Sequence, residues 1–256
     1  MAFELREYSF GETLGKGFNL YFNNFLNLVI FSLILTIPEV IFYTYIFPMD
    51  PEAIKTAANP FKIFGVMWIG IVYSMFKYVI LSGYIIKFIS DKLIENRSKD
   101  SSALSEIIPI LPKLMLLSLT VGFLAGLGMI AFVIPGLIIS LALSIASNVL
   151  IIERTTVNDA IKRSWELTKG YRGNIFGFFI LMFIINMIIS YPAVMIAKSL
   201  EVAANMQYII KIVISAVLAP IGSCILVVVY FNLKIKKEGF SLEHLAKQFL
   251  EAKEIK

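Results

Sequence analysis

An all-α integral membrane bundle of six transmembrane helices, with short amphipathic cytoplasmic helices between them, is the fold this sequence predicts. Three observations carry the prediction. Long apolar runs recur along the chain without the polar stripe that a soluble core helix shows at its 3.6-residue period. The composition is 58% hydrophobic and only 16% charged, with a mean hydropathy of +0.82. Lysines and arginines gather in every second gap between the runs.

The runs follow in order. The first covers about residues 25–47, and the second about 61–89, interrupted by Lys77 and Lys87. The third extends from Ile107 to Ile152 with one charge, Lys113. A crossing needs roughly 20 residues, so this run is two helices. They turn near residues 129–136, where Pro135-Gly136 breaks the helix. Runs over 175–196 and 208–233 complete the six. The chain reads as a single membrane domain, 1–256, with helix-hairpin units at 1–97, 98–152 and 153–256.

Orientation follows from the basic residues. Of 23 lysines and arginines, 18 lie in residues 1–24, 87–113, 153–174 and 234–256, and four lie in the alternate gaps. The positive-inside rule then places both termini in the cytoplasm of a multi-pass cell-membrane protein. The net charge of +5 reflects this topology and an attraction to anionic lipid headgroups. It is not a nucleic-acid signal, because the charges sit at span ends with no binding motif. Glu4, Glu7 and Glu12 precede the first span, unlike a secretory leader. Scarce glutamine beside abundant isoleucine and lysine leans toward a thermophilic prokaryote.

Between spans four and five, Thr156 is placed to cap a helix with Asp159 in its first turn, and Gly170 to stop it. Val157, Ala160, Ile161, Ser164, Trp165 and Thr168 fall on one face, with Lys162 and Arg163 on the other. This predicts an interfacial helix with Trp165 at headgroup depth. A related pattern precedes span one: Glu12, Leu14, Lys16 and Phe18 match Asp159, Ile161, Arg163 and Trp165. A shorter version covers 102–108. Each odd span also ends near a proline: Pro38, Pro135 and Pro192. After span six, Ser241 begins a helix that contains His244, the sole histidine.

Two stretches, 151–170 and 230–243, together with the Ile134-Pro135-Gly136 turn, carry a likeness to a known group. The chain resembles a poorly characterised prokaryotic multipass family related to the membrane domain attached to some glycerophosphodiester phosphodiesterases. The likeness covers most of the chain. It implies a membrane protein of unknown function and no phosphodiesterase activity, since that chemistry belongs to a separate soluble domain.

No chemistry stands out. There is no phosphate loop and no Ser–His–acid set, and a lone Cys224 and His244 provide neither a disulfide framework nor metal-ligand spacing. No catalytic residue, metal or cofactor is assigned, and the chain is read as not an enzyme. Gly122 and Gly126 form a GxxxG on span three that favours helix packing. Ser140, Ser144, Ser147 and Asn148 share a face of span four, suited to interhelical hydrogen bonds or a pore lining, and Asn186 in span five could join them. Glu39 and Lys77 are intramembrane charges, each expensive without a partner. They read as a structural ion pair or as a polar cavity for an ion or headgroup. The expected role is a non-enzymatic membrane component organising lipids or partner proteins. The expected partners are membrane lipids with anionic headgroups, and a second copy or another membrane protein. The alternative is a transporter or channel for a small solute, ion or lipid headgroup. A lipid-modifying enzyme has the least support.

Overall fold

The computed structural model describes residues 7–46, 60–94 and 100–239. Among the described residues there are ten α-helices and no strand. They are α1 Phe10–Asn23, α2 Phe25–Ile41, α3 Pro60–Ile94, α4 Asp100–Ile107, α5 Leu111–Ala131, α6 Val133–Ala142, α7 Ala146–Ile152, α8 Val157–Thr168, α9 Arg172–Ser199 and α10 Ala204–Glu238. Six stretches are long and apolar enough to cross a bilayer: Phe25–Tyr45, Trp68–Leu93, Ala103–Ala131, Val133–Ile152, Arg172–Ser199 and Ala204–Glu238. The protein is therefore an all-α multipass membrane bundle. The expected helix from Ser241, with His244, lies outside the described residues.

Helix α10 is the axis. It packs against α1, α2, α3, α7, α8 and α9. Its crossing window is 61% buried, against 6% for that of α9. Hydrophobic residues on the outside, such as Phe123, Ile130 and Phe183, are what a bilayer-facing surface requires.

In hydrocarbon every backbone group needs a protein partner, so helix breaks are informative. Pro220 lies inside α10 and has no N–H for the carbonyl of Ala216. The Ser32 hydroxyl of α2 donates to that carbonyl at 2.7 Å, and the Tyr21 hydroxyl of α1 donates to Val217 O at 2.9 Å. Span four breaks between α6 and α7, where the Ala146 N–H bonds Leu143 O instead of Ala142 O. Ser164 and Thr168 of α8 donate to the freed Ala142 carbonyl at 2.7 and 3.1 Å.

That contact changes the reading of α8. Thr156 caps it as expected, accepting from the Asp159 N–H at 3.3 Å. Its apolar face, however, turns into the protein rather than into headgroups: Ala160, Ser164, Leu167 and Thr168 are buried. The hydroxyls of that face, four residues apart, serve a carbonyl of the bundle. Trp165 stays at the rim, exposed, with the Arg172 guanidinium 4.3 Å over its ring.

Spans three and four turn at one residue, Phe132, which is extended (φ −159°, ψ 140°). Gly128 and Gly136 then meet: a Cβ on Gly128 would lie 2.8 Å from Gly136 Cα. Even here the ladder persists, with Phe132 N–H donating to Gly128 O and Gly136 N–H donating to Phe132 O.

Candidate functional site

Three constellations collect the polar chemistry. The first is Glu39 of α2 with Lys77 of α3. The two side chains form an ion pair, and the Ser74 hydroxyl donates to Glu39 Oε1 at 3.4 Å. Glu39 is buried and Lys77 mostly so. Each charge is neutralised by the other, as the structural reading requires.

The second is a junction at the basic ends of the spans. Glu153 follows α7 and accepts from the Tyr230 hydroxyl at 2.8 Å, Lys234 Nζ at 3.0 Å and Arg163 Nε at 3.1 Å. Arg163 also pairs with Glu238 at the end of α10. Tyr230 and Lys234 stand one turn apart on α10, and so face Glu153 together. Burial pushes the Glu153 carboxyl up, but Lys234, Tyr230 and Arg163 outweigh it and hold the group below the usual carboxylate range. Burial likewise pulls Arg163 down, and Glu153 with Glu238 more than reverses it. The junction ties α7, α8 and α10 into one body. Asn232 extends it: its side chain accepts from the Tyr8 N–H at 2.9 Å and donates to Tyr8 O at 3.0 Å.

The third is a cavity of about 440 Å³ inside the bilayer-spanning region, between α3, α9 and α10. Phe178, Met182 and Leu226 give it apolar walls, while Asn186, Ser215 and Ser223 are polar points within it. Exposed Phe179 and Phe183 also line it, so it opens on the lipid-facing surface.

A family model for an uncharacterised protein family matches residues 55–235. The chain belongs to UPF0259. No curated protein and no solved structure matches it. The part of the UPF0259 chain that matches holds Lys77, Glu153, Lys234 and the whole cavity, but not Glu39.

Not all the residues singled out in the UPF0259 sequence come together. Glu39 and Lys77 do. Asn186 reaches the cavity, where its Oδ1 accepts from the Ser190 hydroxyl at 3.4 Å. Ser144 does not join it: its hydroxyl donates to Leu141 O within its own turn, as Ser140 does to Gly136 O. The interhelical network expected on span four is therefore absent at these two serines. Asn148 is buried, with Oδ1 unpartnered among the described residues. Arg163 belongs to the junction, whereas Lys162 is exposed. Gly122 and Gly126 meet nothing within 4 Å of an added Cβ among the described residues, so no described helix packs on them. Glu153, Tyr230 and Lys234 were missed. The signal was present in a carboxylate directly after the longest apolar run, and a Tyr–Lys pair one turn apart on the last span.

Proposed function

We propose that this protein is a non-enzymatic component of a prokaryotic cell membrane, with both termini cytoplasmic, that holds bilayer lipid at a defined place on its surface. The observation that carries this reading is the cavity between α3, α9 and α10. Its volume of about 440 Å³ falls within the usual range for ligand cavities, roughly 300–1,000 Å³. Apolar walls suit an acyl chain, and Asn186, Ser215 and Ser223 supply a few orienting polar contacts. The basic segments at the span ends support attraction to anionic headgroups. The uncovered Gly122 and Gly126 leave α5 available to a second copy or another membrane protein. The kinship with membrane domains attached to some glycerophosphodiester phosphodiesterases belongs to this proposal too, and assigns no hydrolysis.

Gly222 lines the cavity, and an added Cβ there would meet nothing within 4 Å. Gly222→Phe should therefore fill the space without moving the backbone. Native mass spectrometry of protein extracted in mild detergent should show bound phospholipid on the parent and loss of it from the variant. Equal lipid on both would remove the reading.

A transporter is the second reading, favoured by the charged pair Glu39–Lys77 within the bundle. A Glu39→Gln/Lys77→Met protein that folds yet loses a solute flux in liposomes would establish it. Unchanged flux would leave the pair a structural one.

A further inference from the structure

We propose that a second cavity, at the basic ends of α3, α5 and α7, binds a phosphodiester monoanion. It is about 180 Å³ and is lined by Lys87, Glu106, Lys113, Arg154 and Thr155, with Ile110 and Leu150 on its apolar side. The site is separate from the intramembrane cavity and goes beyond the lipid-holding reading.

Charge comes first. Lys87 Nζ lies 2.6 Å from Asp91 and 3.0 Å from Glu106, and Arg154 Nη2 lies 3.3 Å from Glu106. Two carboxylates thus face two cations, and Glu106 is already bridged. Lys113 is exposed and has no ion pair among the described residues. Lys87, Lys113 and Arg154, set against Glu106 and the neighbouring Asp91, leave the cluster one positive charge in excess, which a single negative charge balances.

Donors come next. Arg154 uses one N–H of its planar fork on Glu106, and the others remain for a second acceptor. Thr155 Oγ1 is buried without a hydrogen-bond partner among the described residues. A buried hydroxyl left so is destabilising unless something else fills its place. An anion with several acceptor oxygens would satisfy Thr155, Arg154 and Lys113 together.

Backbone conformation agrees. Arg154 has φ 51°, in the left-handed region that non-glycine residues seldom occupy. Such conformations persist where surrounding structure imposes them, and they gather at binding sites. Here the conformation joins α7 to α8 and places Arg154 and Thr155 side by side on the cavity. The apolar wall of Ile110 and Leu150 favours a phosphodiester that carries hydrocarbon, as in a phospholipid, over a free phosphate ester.

The test uses the full chain in a neutral maltoside micelle. Affinity is read from the rise in unfolding midpoint with added ligand. Dioctanoyl phosphatidylglycerol should stabilise saturably, and dioctanoylglycerol, which lacks the phosphate, should not. Lys113→Gln should weaken the phospholipid about tenfold, the scale of one lost charge-assisted bond. Thr155→Val should leave the unliganded midpoint unchanged or higher, because no existing bond is lost, yet weaken binding at least about threefold. Dimethyl phosphate binding as tightly as the phospholipid would make the source a soluble ester; binding by the lipid alone would make it the bilayer. Repeating the titration in Gly222→Phe separates the two cavities, since this site should be unaffected there. Unchanged affinity in both Lys113→Gln and Thr155→Val, or equal binding of dioctanoylglycerol, would overturn the proposal.

Discussion

Ser9 and Thr156 each begin a short helix ahead of a span by accepting the backbone N–H three residues on, from Glu12 and Asp159. From there α1 and α8 bury the same register, Thr13, Gly17 and Tyr21 in one and Ala160, Ser164 and Thr168 in the other. Both also deliver hydroxyls to carbonyls near a helix irregularity in a span. Their means of attachment differ. Helix α1 lies against α10 by backbone approach, with Gly17 against Ile225, and against α9 by rings, with Phe10 stacked on Phe178 at 4.5 Å. Helix α8 is held by hydrogen bonds to Ala142 and by the Arg163 ion pairs. The lesson is that one local pattern can seat a helix by shape or by charge, according to what the facing span offers.

Charge should dominate. Lys234→Met removes the least exposed cationic partner of Glu153 and should destabilise the detergent-solubilised protein by about 2–3 kcal/mol, since this partly buried carboxylate then keeps only Arg163 and Tyr230. Thermal unfolding should show the loss chiefly at neutral pH. The folded Glu153 titrates below its ordinary value of 4.5, so its contribution is complete above that value. It disappears as the pH falls through the lowered folded value, where parent and variant should converge. A gap that persisted in acid would mean that Lys234 acts through packing.

Shape should come next. At Gly17 an added Cβ would stand 2.6 Å from Ile225 Cγ1 and 2.9 Å from its Cα. Because one of these is backbone, Gly17→Ala should cost about 1–3 kcal/mol and loosen α1 from α10. Its effect should not depend on pH or salt. A silent Gly17→Ala would show that α1 sits further from α10.

For α8, Ser164→Ala/Thr168→Val leaves the Ala142 carbonyl bare and should cost about 1–2 kcal/mol. Either single change should cost less, because the remaining hydroxyl still serves the carbonyl. Amide exchange across the break in span four would report it. Equal effects for the single and double variants would mean that the hydroxyls do not share one acceptor.

The caps give the smallest effect. Ser9→Ala and Thr156→Ala should each cost about 1 kcal/mol. Similar values would sharpen the likeness between the two starts, whereas a null value at either would break it.

Solvent, helix count and the chain reversal were legible because each follows from runs of apolar residues. Glu39 with Lys77 was legible because an intramembrane charge demands a partner. The seat of α8 was not, since its moment measures that one side is apolar and cannot say whether lipid or protein covers it. Ser164 and Thr168 held the clue, but the carbonyl they serve appears only when span four breaks. The serines of span four misled for a related reason: a helical hydroxyl can donate to its own preceding turn, as Ser140 and Ser144 do. The cavity was invisible, because it is formed by what three helices leave unfilled.

The reversal at Phe132 bears on how the protein is made. Around it Ile130, Phe132, Val133 and Ile134 are all exposed and all apolar. Nothing hydrophilic joins α5 to α6, and the backbone bonds run through the turn. No water-loving loop has to be ferried across the bilayer during synthesis. The two helices can enter together from one side, as a wedge already closed at its tip. A protease or a water-soluble label applied to the face this tip approaches would find little there to reach.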